Sequence, residues 1–350
     1  MDITYPFPSI PETGQTLEVA PGILWLRMPL PFALDHINLW LLADGEGWAA
    51  VDTGIARETI RVAWDRILEN RKLTRQIVTH FHPDHLGLAA WLEKKTGAPL
   101  LMTQGEYTVA QLVLHQIAGY GIPAMLEFFA THGLEGEPLA ELERRGNAFA
   151  RGVPEIPRNY LRLHHGDRIG IAGQNWQVMV GYGHAPEHAS LYCAEKGVLI
   201  SGDMLLPRIS TNISAYAAKP FGNPLGRFLD SIEAYLTLPD DTLVLPSHGL
   251  PFRGIRARVA QLQAHHRARC DELLSACTET PRSAADLIPV LFARPITDAH
   301  QMMFAIGEAV AHLLYLEHQG KMSRVEQDGI IRFLAGKERA SDVGQVAGAT

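Results

Sequence analysis

The segment THFHPDHLG, Thr79 to Gly87, places three histidines and one aspartate in six consecutive positions, His80 to His85. His80 and His82 alternate, so at the end of an extended strand their side chains lean to the same side. Asp84 and His85 sit where the chain turns into a helix begun by Pro83. A loop of this kind can present ligands to two neighbouring ions. Three further candidates stand at the ends of apolar runs: His184 after VMVGYG, Asp203 after VLISG and His248 after TLVLPS. None of these positions is a cysteine. A nitrogen and oxygen donor set with room for water is the hydrolytic kind, whereas structural zinc sites are closed sets of four, often with thiolates.

Apolar periodicity predicts the elements that must hold these residues. From Gly22 to Gly54 the runs ILWLRMPLP, HINLWLLADG and GWAAVDTG read as a meander of antiparallel strands. Ala56 to Asn70 sets Ile60, Ala63, Trp64 and Ile67 on one helical face, QIVT is a short strand delivering the histidine segment, and LGLAAWLEKKTG predicts a helix closed by Gly97. RIGIAG, NWQVMVGYG, ASLYCAEKG, VLISGD and TLVLPSHG predict five more strands, so the chain reads as two sheets with helices outside them. Between the two halves, Gln104 to Pro157 has a helical pattern broken by Gly and Pro. This insertion serves either as the wall or lid of a cleft or as a packing subdomain.

After Gly254 helices take over. Arg256 to Ser275 aligns Val259, Leu262, His266 and Leu273, and Ala299 to His318 aligns Met303, Ile306, Val310 and Leu313. GKMSRVEQDGIIRFLAG predicts a hairpin turning at Asp328-Gly329. The expected organisation is a catalytic domain over 1–255 with the insertion at about 104–157, a winged-helix-like domain over 256–340, and a frayed tail over 341–350.

The chain has 350 residues, 31 basic against 38 acidic, and a net charge of −7, which supplies no global field for a polyanion. Cys193, Cys270 and Cys277 are odd in number and form no CxxC pair, and the start MDITYPFPSIPETG lacks a cationic end followed by an apolar run. A reducing cytoplasm is expected. No run of about 18 apolar residues offers a membrane span.

His80, His82, Asp84, His85, His184, Asp203 and His248, with VDTG at Val51 to Gly54 upstream, resemble the metallo-β-lactamase-fold hydrolase superfamily. The resemblance covers about Gly22 to Gly254 and implies an α+β, four-layer αββα sandwich. It implies one metal held by His80, His82 and His184, a second held by Asp84, His85 and His248, and Asp203 bridging both. Lactamases of the dizinc type carry a cysteine where this chain has Asp203, so the branch resembled is the glyoxalase II-like, aspartate-bridged one, and penicillin hydrolysis is not expected. Two divalent ions roughly 3.5 to 4 Å apart make hydroxide available near neutral pH, with Asp84 expected to orient it. Zinc suits these donors best, and iron or manganese fits the same set.

Asp52 in VDTG is expected to accept hydrogen bonds that fix the ligand loop, and His188 to lie behind the ligands rather than among them. His164 and His165 are assigned to a solvated turn, His266 to a packed helix face, and His115, His132, His300, His312 and His318 to no site, having no partner spacing. Arg208, Tyr216, Lys219 and Phe221, in the segment after Asp203, are candidates for a substrate pocket.

The tail is similar to that of glyoxalase II-like proteins with an appended winged-helix-like domain, a branch that includes thioesterases and an endoribonuclease. Hydrolysis of a thioester or related carboxylic ester, including acyl-carrier or coenzyme A thioesters, is the first reading. A metal-dependent ribonuclease is second, disfavoured by the net charge and by acidic runs such as LEGEPLAELE. A non-enzymatic metal-binding regulator is third, disfavoured by the intact ligand set. The apolar C-terminal helices are compatible with a homodimer.

Overall fold

The computed structural model describes residues 2–296 and 298–336, so the tail expected at 341–350 lies outside the described residues. The N-terminal sheet runs in the order β1 (Leu17–Ala20), β2 (Ile23–Pro29), β3 (His36–Asp44), β4 (Gly47–Val51), β5 (Leu73–Ile77), β6 (Leu100–Thr103) and β7 (Leu161–Leu163). β1 to β4 pair antiparallel, as the meander predicts, and β4 to β7 pair parallel through helical crossovers. These are α1 (Glu58–Leu68), α2 (Pro83–Leu86) with α3 (Ala89–Thr96), and the insertion helices α4 (Gln104–Leu114), α5 (Ile122–Thr131), α6 (Gly136–Arg145) and α7 (Ala148–Gly152).

The second sheet has the order β12-β11-β10-β9-β8, from β8 (Arg168–Ile171), β9 (Gln174–Gly181), β10 (His188–Cys193), β11 (Val198–Gly202) and β12 (Leu243–Pro246). A helix not evident in the sequence pattern, α8 (Pro224–Glu233), precedes β12. The sheets face each other through Trp25, Trp40, Val51, Trp176, Val178 and Leu191. On β2 and β3 the intervening residues Leu24, Leu26, Leu39 and Leu41 point the other way, onto Ile60 and Trp64 of α1 and Leu92 of α3. A strand covered on both faces must be apolar at every position, which is why these runs do not alternate. Helix, sheet, sheet and helix make the four layers of the αββα sandwich.

α9 (Ile255–Ala276), α10 (Ala284–Leu291) and α11 (Ala299–His318) pack with a sheet of order β13-β15-β14, formed by β13 (Arg282–Ser283), β14 (Met322–Gln327) and β15 (Ile330–Ala335). Asp328 and Gly329 both have positive φ, 52° and 74°, as a tight hairpin turn requires. The short β13 and α10, the latter with Pro289 inside, were not predicted. This unit shares one core with the outer face of the second sheet, where Phe228, Val244 and Leu199 meet Leu262 and Val310.

One local expectation is corrected. The helix read from LGLAAWLEKKTG is two helices, broken at Gly87-Leu88. A Cβ at Gly87 would stand 2.5 Å from the Gly152 carbonyl oxygen, and the Leu88 N–H turns away to donate to the Gly54 carbonyl at 3.0 Å. The break lets Asp84 and His85 sit on a turn of their own. Among the described residues no helix is long and apolar enough to cross a membrane.

Candidate metal centre

Every candidate ligand leaves the sandwich at one edge, where the parallel strands end. β5 runs into His80 and His82, α2 carries Asp84 and His85, the β9–β10 connection carries His184, and Asp203 and His248 follow β11 and β12. Gly202 delivers Asp203 through a left-handed turn at φ 54°, and a Cβ there would lie 2.3 Å from His188 Nε2. Only glycine fits that position.

The seven side chains fall into two clusters, His80, His82, His184 and Asp203 in one and Asp84, His85 and His248 in the other. In the first, His80 Nε2 is 2.9 Å from His82 Nδ1 and 3.2 Å from His184 Nε2, and Asp203 Oδ2 is 3.4 Å from His184 Nε2. In the second, His248 Nε2 is 3.4 Å and His85 Nε2 3.7 Å from Asp84 Oδ2. Asp203 Oδ1 stands 3.4 Å from His248 Nε2 and 3.7 Å from His85 Nε2. The two oxygens of Asp203 thus face different clusters.

The hydrogen bonds behind the rings decide what these atoms offer. His184 Nδ1 is 2.8 Å from the Asn212 carbonyl, His248 Nδ1 is 2.8 Å from the His36 carbonyl, and His85 Nδ1 is 2.8 Å from Asp52 Oδ2. Carbonyl and carboxylate oxygens only accept, so each Nδ1 carries a proton and each Nε2 of the neutral ring is a bare lone pair. Lone pairs that converge repel unless a cation lies among them. His85 Nε2 and Asp203 Oδ1 are buried with no hydrogen-bond partner among the described residues, an expensive condition that a bound cation relieves. Tetrahedral ligands about 2.0 to 2.2 Å from a metal stand roughly 3.3 to 3.6 Å apart, close to the spacings here. The residues fit divalent metal ions.

Asp52 does what its place in VDTG suggests. Held at φ 62° and buried, it accepts the Thr79 N–H at 2.8 Å and the Thr79 hydroxyl at 3.0 Å besides binding His85. His188 lies behind the ligands, accepting the Asp203 N–H on Nε2 at 3.1 Å, and burial pushes its ring down to about 3. Burial, with the neighbouring imidazoles, also holds His80 and His82 well below the ordinary histidine value. His85 is pushed up to about 10, because the carboxylates of Asp52, Asp84 and Asp203 outweigh its burial, so at its Nε2 a proton competes with a metal ion for the lone pair.

Of the four pocket candidates, Arg208 stacks over Tyr5 at 5.4 Å and Phe221 packs under Arg324 at 4.9 Å, contacts with the N-terminal segment and the terminal hairpin rather than with either cluster. Lys219 is exposed. Tyr216 is likewise exposed.

Glu106 was not singled out in the sequence. It is fully buried and accepts the Phe81 N–H at 2.9 Å on one oxygen and the Glu187 N–H at 2.5 Å on the other, so it ties the loop of His80 and His82 to the loop of His184. Burial pushes its carboxyl up to about 8 against those two donors. Its place on α4, remote in sequence from both loops, left no local signal. Two of the histidines assigned to no site gain partners across the chain: His312 Nε2 lies 3.1 Å from His266 Nδ1, and His300 Nδ1 lies 2.6 Å from Arg145 Nη2.

Comparison with known proteins agrees with this geometry. Residues 270–336 match the metallo-beta-lactamase-like C-terminal domain, and residues 33–248 match the metallo-beta-lactamase superfamily. The probable metallo-hydrolase YqjP of Bacillus subtilis (strain 168) is 24% identical over 331 residues, 89% of this chain and 97% of that protein. A hydroxyacylglutathione hydrolase of Albidiferax ferrireducens is 26% identical over 221 residues, 63% of this chain and 65% of its own length. The crystal structure of a beta-lactamase domain protein from Burkholderia ambifaria superposes with a TM-score of 0.89 at 47% identity, covering 95% of this chain and 98% of that one. A metallo-beta-lactamase family protein from Thermus thermophilus gives 0.76 at 29% identity, covering 91% of this chain and all of that one. A family match across the whole sandwich, with the donor set intact at its edge, makes this chain a member of the metallo-beta-lactamase superfamily and a metallo-hydrolase.

Proposed function

We propose that the chain is a dinuclear metal-dependent hydrolase of a thioester or related carboxylic ester. The observation that carries the dinuclear reading is Asp203, whose two oxygens address the two clusters separately. His80, His82 and His184 would hold one ion, Asp84, His85 and His248 the second, and Asp203 both. When bound, such a pair of ions supplies hydroxide near neutral pH and polarises the carbonyl under attack.

The chain's own groups do the rest. Asn212, His36 and Asp52 hold three rings in the tautomer that offers Nε2, as carboxylate or carbonyl partners of metal-bound histidines commonly do. Asp84 faces His85 and His248 with one oxygen, which leaves the other to accept a proton from the attacking water and orient it. The ester reading draws its support from the relatives named hydroxyacylglutathione hydrolase and from Asp203 standing where dizinc lactamases carry a cysteine.

A turnover panel on protein reconstituted with zinc, iron or manganese tests the reading, comparing thioesters, lactones, a β-lactam and single-stranded RNA. Thioesters are expected to turn over fastest, and Asp84→Ala protein that keeps both ions is expected to lose on the order of a hundredfold or more. Cleavage of RNA alone would replace the ester reading with the phosphodiester one. An Asp84→Ala protein with two ions and near-normal turnover would remove Asp84 from the mechanism.

A further inference from the structure

Three segments distant in sequence meet at the ring of His300, which lies within the electrostatic reach of Asp84. Phe32 lies in the loop between β2 and β3, shortly before His36, whose carbonyl accepts from His248. Arg145 ends α6, and Asn147 then caps α7 by accepting the Ala150 N–H at 3.0 Å. α7 rests on the ligand loop: Phe149 packs against Phe81 at 6.0 Å, and the Gly152 carbonyl accepts the Ala56 N–H at 3.0 Å. His300, in the first turn of α11, joins the other two. Its ring stacks on Phe32 at 4.8 Å, meets the edge of Phe304 at 4.7 Å, and takes a hydrogen bond from Arg145 Nη2 at 2.6 Å.

Arg145 is a half-buried cation that makes no ion pair among the described residues. A guanidinium has five N–H donors. Here Nη2 donates to the His300 imidazole and Nη1 to the Met303 sulfur at 3.7 Å, both uncharged acceptors and the second a weak one. Among the described residues no carboxylate lies within ion-pair distance of it. Asp298, whose charge acts on it, is engaged in capping α11, where it accepts the His300 N–H at 2.6 Å. Burial, reinforced by the charge of Arg151, holds the Arg145 guanidinium below its ordinary range. His300 is pushed down to about 4 by burial and by Arg145, so its ring is neutral and accepts as the geometry requires; among the charges acting on it is Asp84. Removing a cation from water without pairing it is costly, and an incoming anion repays that cost.

We propose that Arg145, oriented by His300, binds an oxyanion of the substrate at the mouth of the metal centre, so that the esters or thioesters hydrolysed carry a carboxylate or phosphate. The proposal rests on the ester-hydrolase reading for its substrate, and on Arg145 alone for its anion. An arginine matches either oxyanion in bidentate geometry, so the fork rather than the bare charge is the recognising feature.

Matched substrates on the metal-reconstituted protein test it: glutaryl and pentanoyl thioesters of N-acetylcysteamine for a carboxylate on the acyl side, and acetyl thioesters of phosphopantetheine and pantetheine for a phosphate on the leaving side. In one pair, Arg145→Gln is expected to raise KM for the charged member about 10- to 100-fold and to change the neutral member less than about threefold. Arg145→Lys, which keeps charge and bulk, should fall between and serves if the glutamine variant is poorly folded. Calorimetry with glutarate and with inorganic phosphate should show the corresponding loss of affinity in the variants. If the wild type hydrolyses no thioester yet anion affinity depends on Arg145, the anion site stands and the ester reading falls. Equal losses on charged and neutral members, or anion affinity indifferent to both variants, overturn the proposal.

Discussion

The two donor clusters share a carboxylate but are backed differently. Behind the first, the partners of the rings are uncharged: Thr79 Oγ1 lies 3.0 Å from His80 Nδ1, and the Asn212 carbonyl accepts from His184. Behind the second, Asp52 carries a charge onto His85, and Asp84 adds another within the cluster. The consequence appears in protonation: burial drives His80 and His82 down, whereas the carboxylates around His85 and His248 overcome burial and drive both up. The first cluster is a nitrogen-rich nest of neutral imidazoles and the second an acidic one. Ions at the two positions therefore meet different fields, and the second gains more from a cation's charge.

The largest effect should come from removing what the clusters share. Asp203→Ala is expected to lower turnover on the order of a thousandfold and to reduce bound metal below two equivalents by elemental analysis, since one carboxylate faces both clusters. A variant that kept two ions would mean that the clusters are independent. Asp52→Asn sharpens the contrast from one side. It keeps the shape but withdraws the charge behind His85, so the affinity for the second equivalent of metal should fall about 10- to 100-fold while the first changes little. Equal losses at both equivalents would show that Asp52 acts chiefly through Thr79, which touches both clusters.

The smallest effect concerns a third group of histidines. His266 and His312 face each other at 3.1 Å in the C-terminal core with no carboxylate ion-paired to them among the described residues, and burial pushes them down to about 3 and about 4. With folded values below the ordinary 6.5, the unfolded chain binds more protons over that interval. Their contribution to stability is complete above about pH 6.5 and is lost as pH falls toward the folded values. The thermal midpoint is expected to fall by about 3 to 6 °C between pH 6.5 and pH 4, and by less in a His312→Gln variant. An unchanged slope in that variant would assign the acid sensitivity to the metal centre instead.

Those three groups also mark how far the sequence is readable. The donors of both clusters stand in short local patterns, a histidine-rich segment after one strand and single residues at the ends of three others, because strand ends at one sheet edge are where side chains can converge. Asp52 was legible for the same reason, as part of VDTG at such an end. The pocket candidates Arg208 and Phe221 have only their side-chain type and their place in the chain after Asp203 to mark them, and the structure engages them with Tyr5 and Arg324. Glu106 sits on a helix with no motif around it, and its role comes from two loops brought to its oxygens.

The chain alone determined the sandwich, the order of the donors and the absence of cysteine among them, since strand periodicity and donor chemistry are properties of local sequence. Tertiary structure decided which atom of each donor is bare, because that depends on what lies behind each ring. It also decided the pairing of His266 with His312 and of Arg145 with His300, the latter across 155 positions. Such contacts depend on how the insertion and the C-terminal helices pack against the sandwich, and helical periodicity specifies a buried face without naming the surface that will cover it.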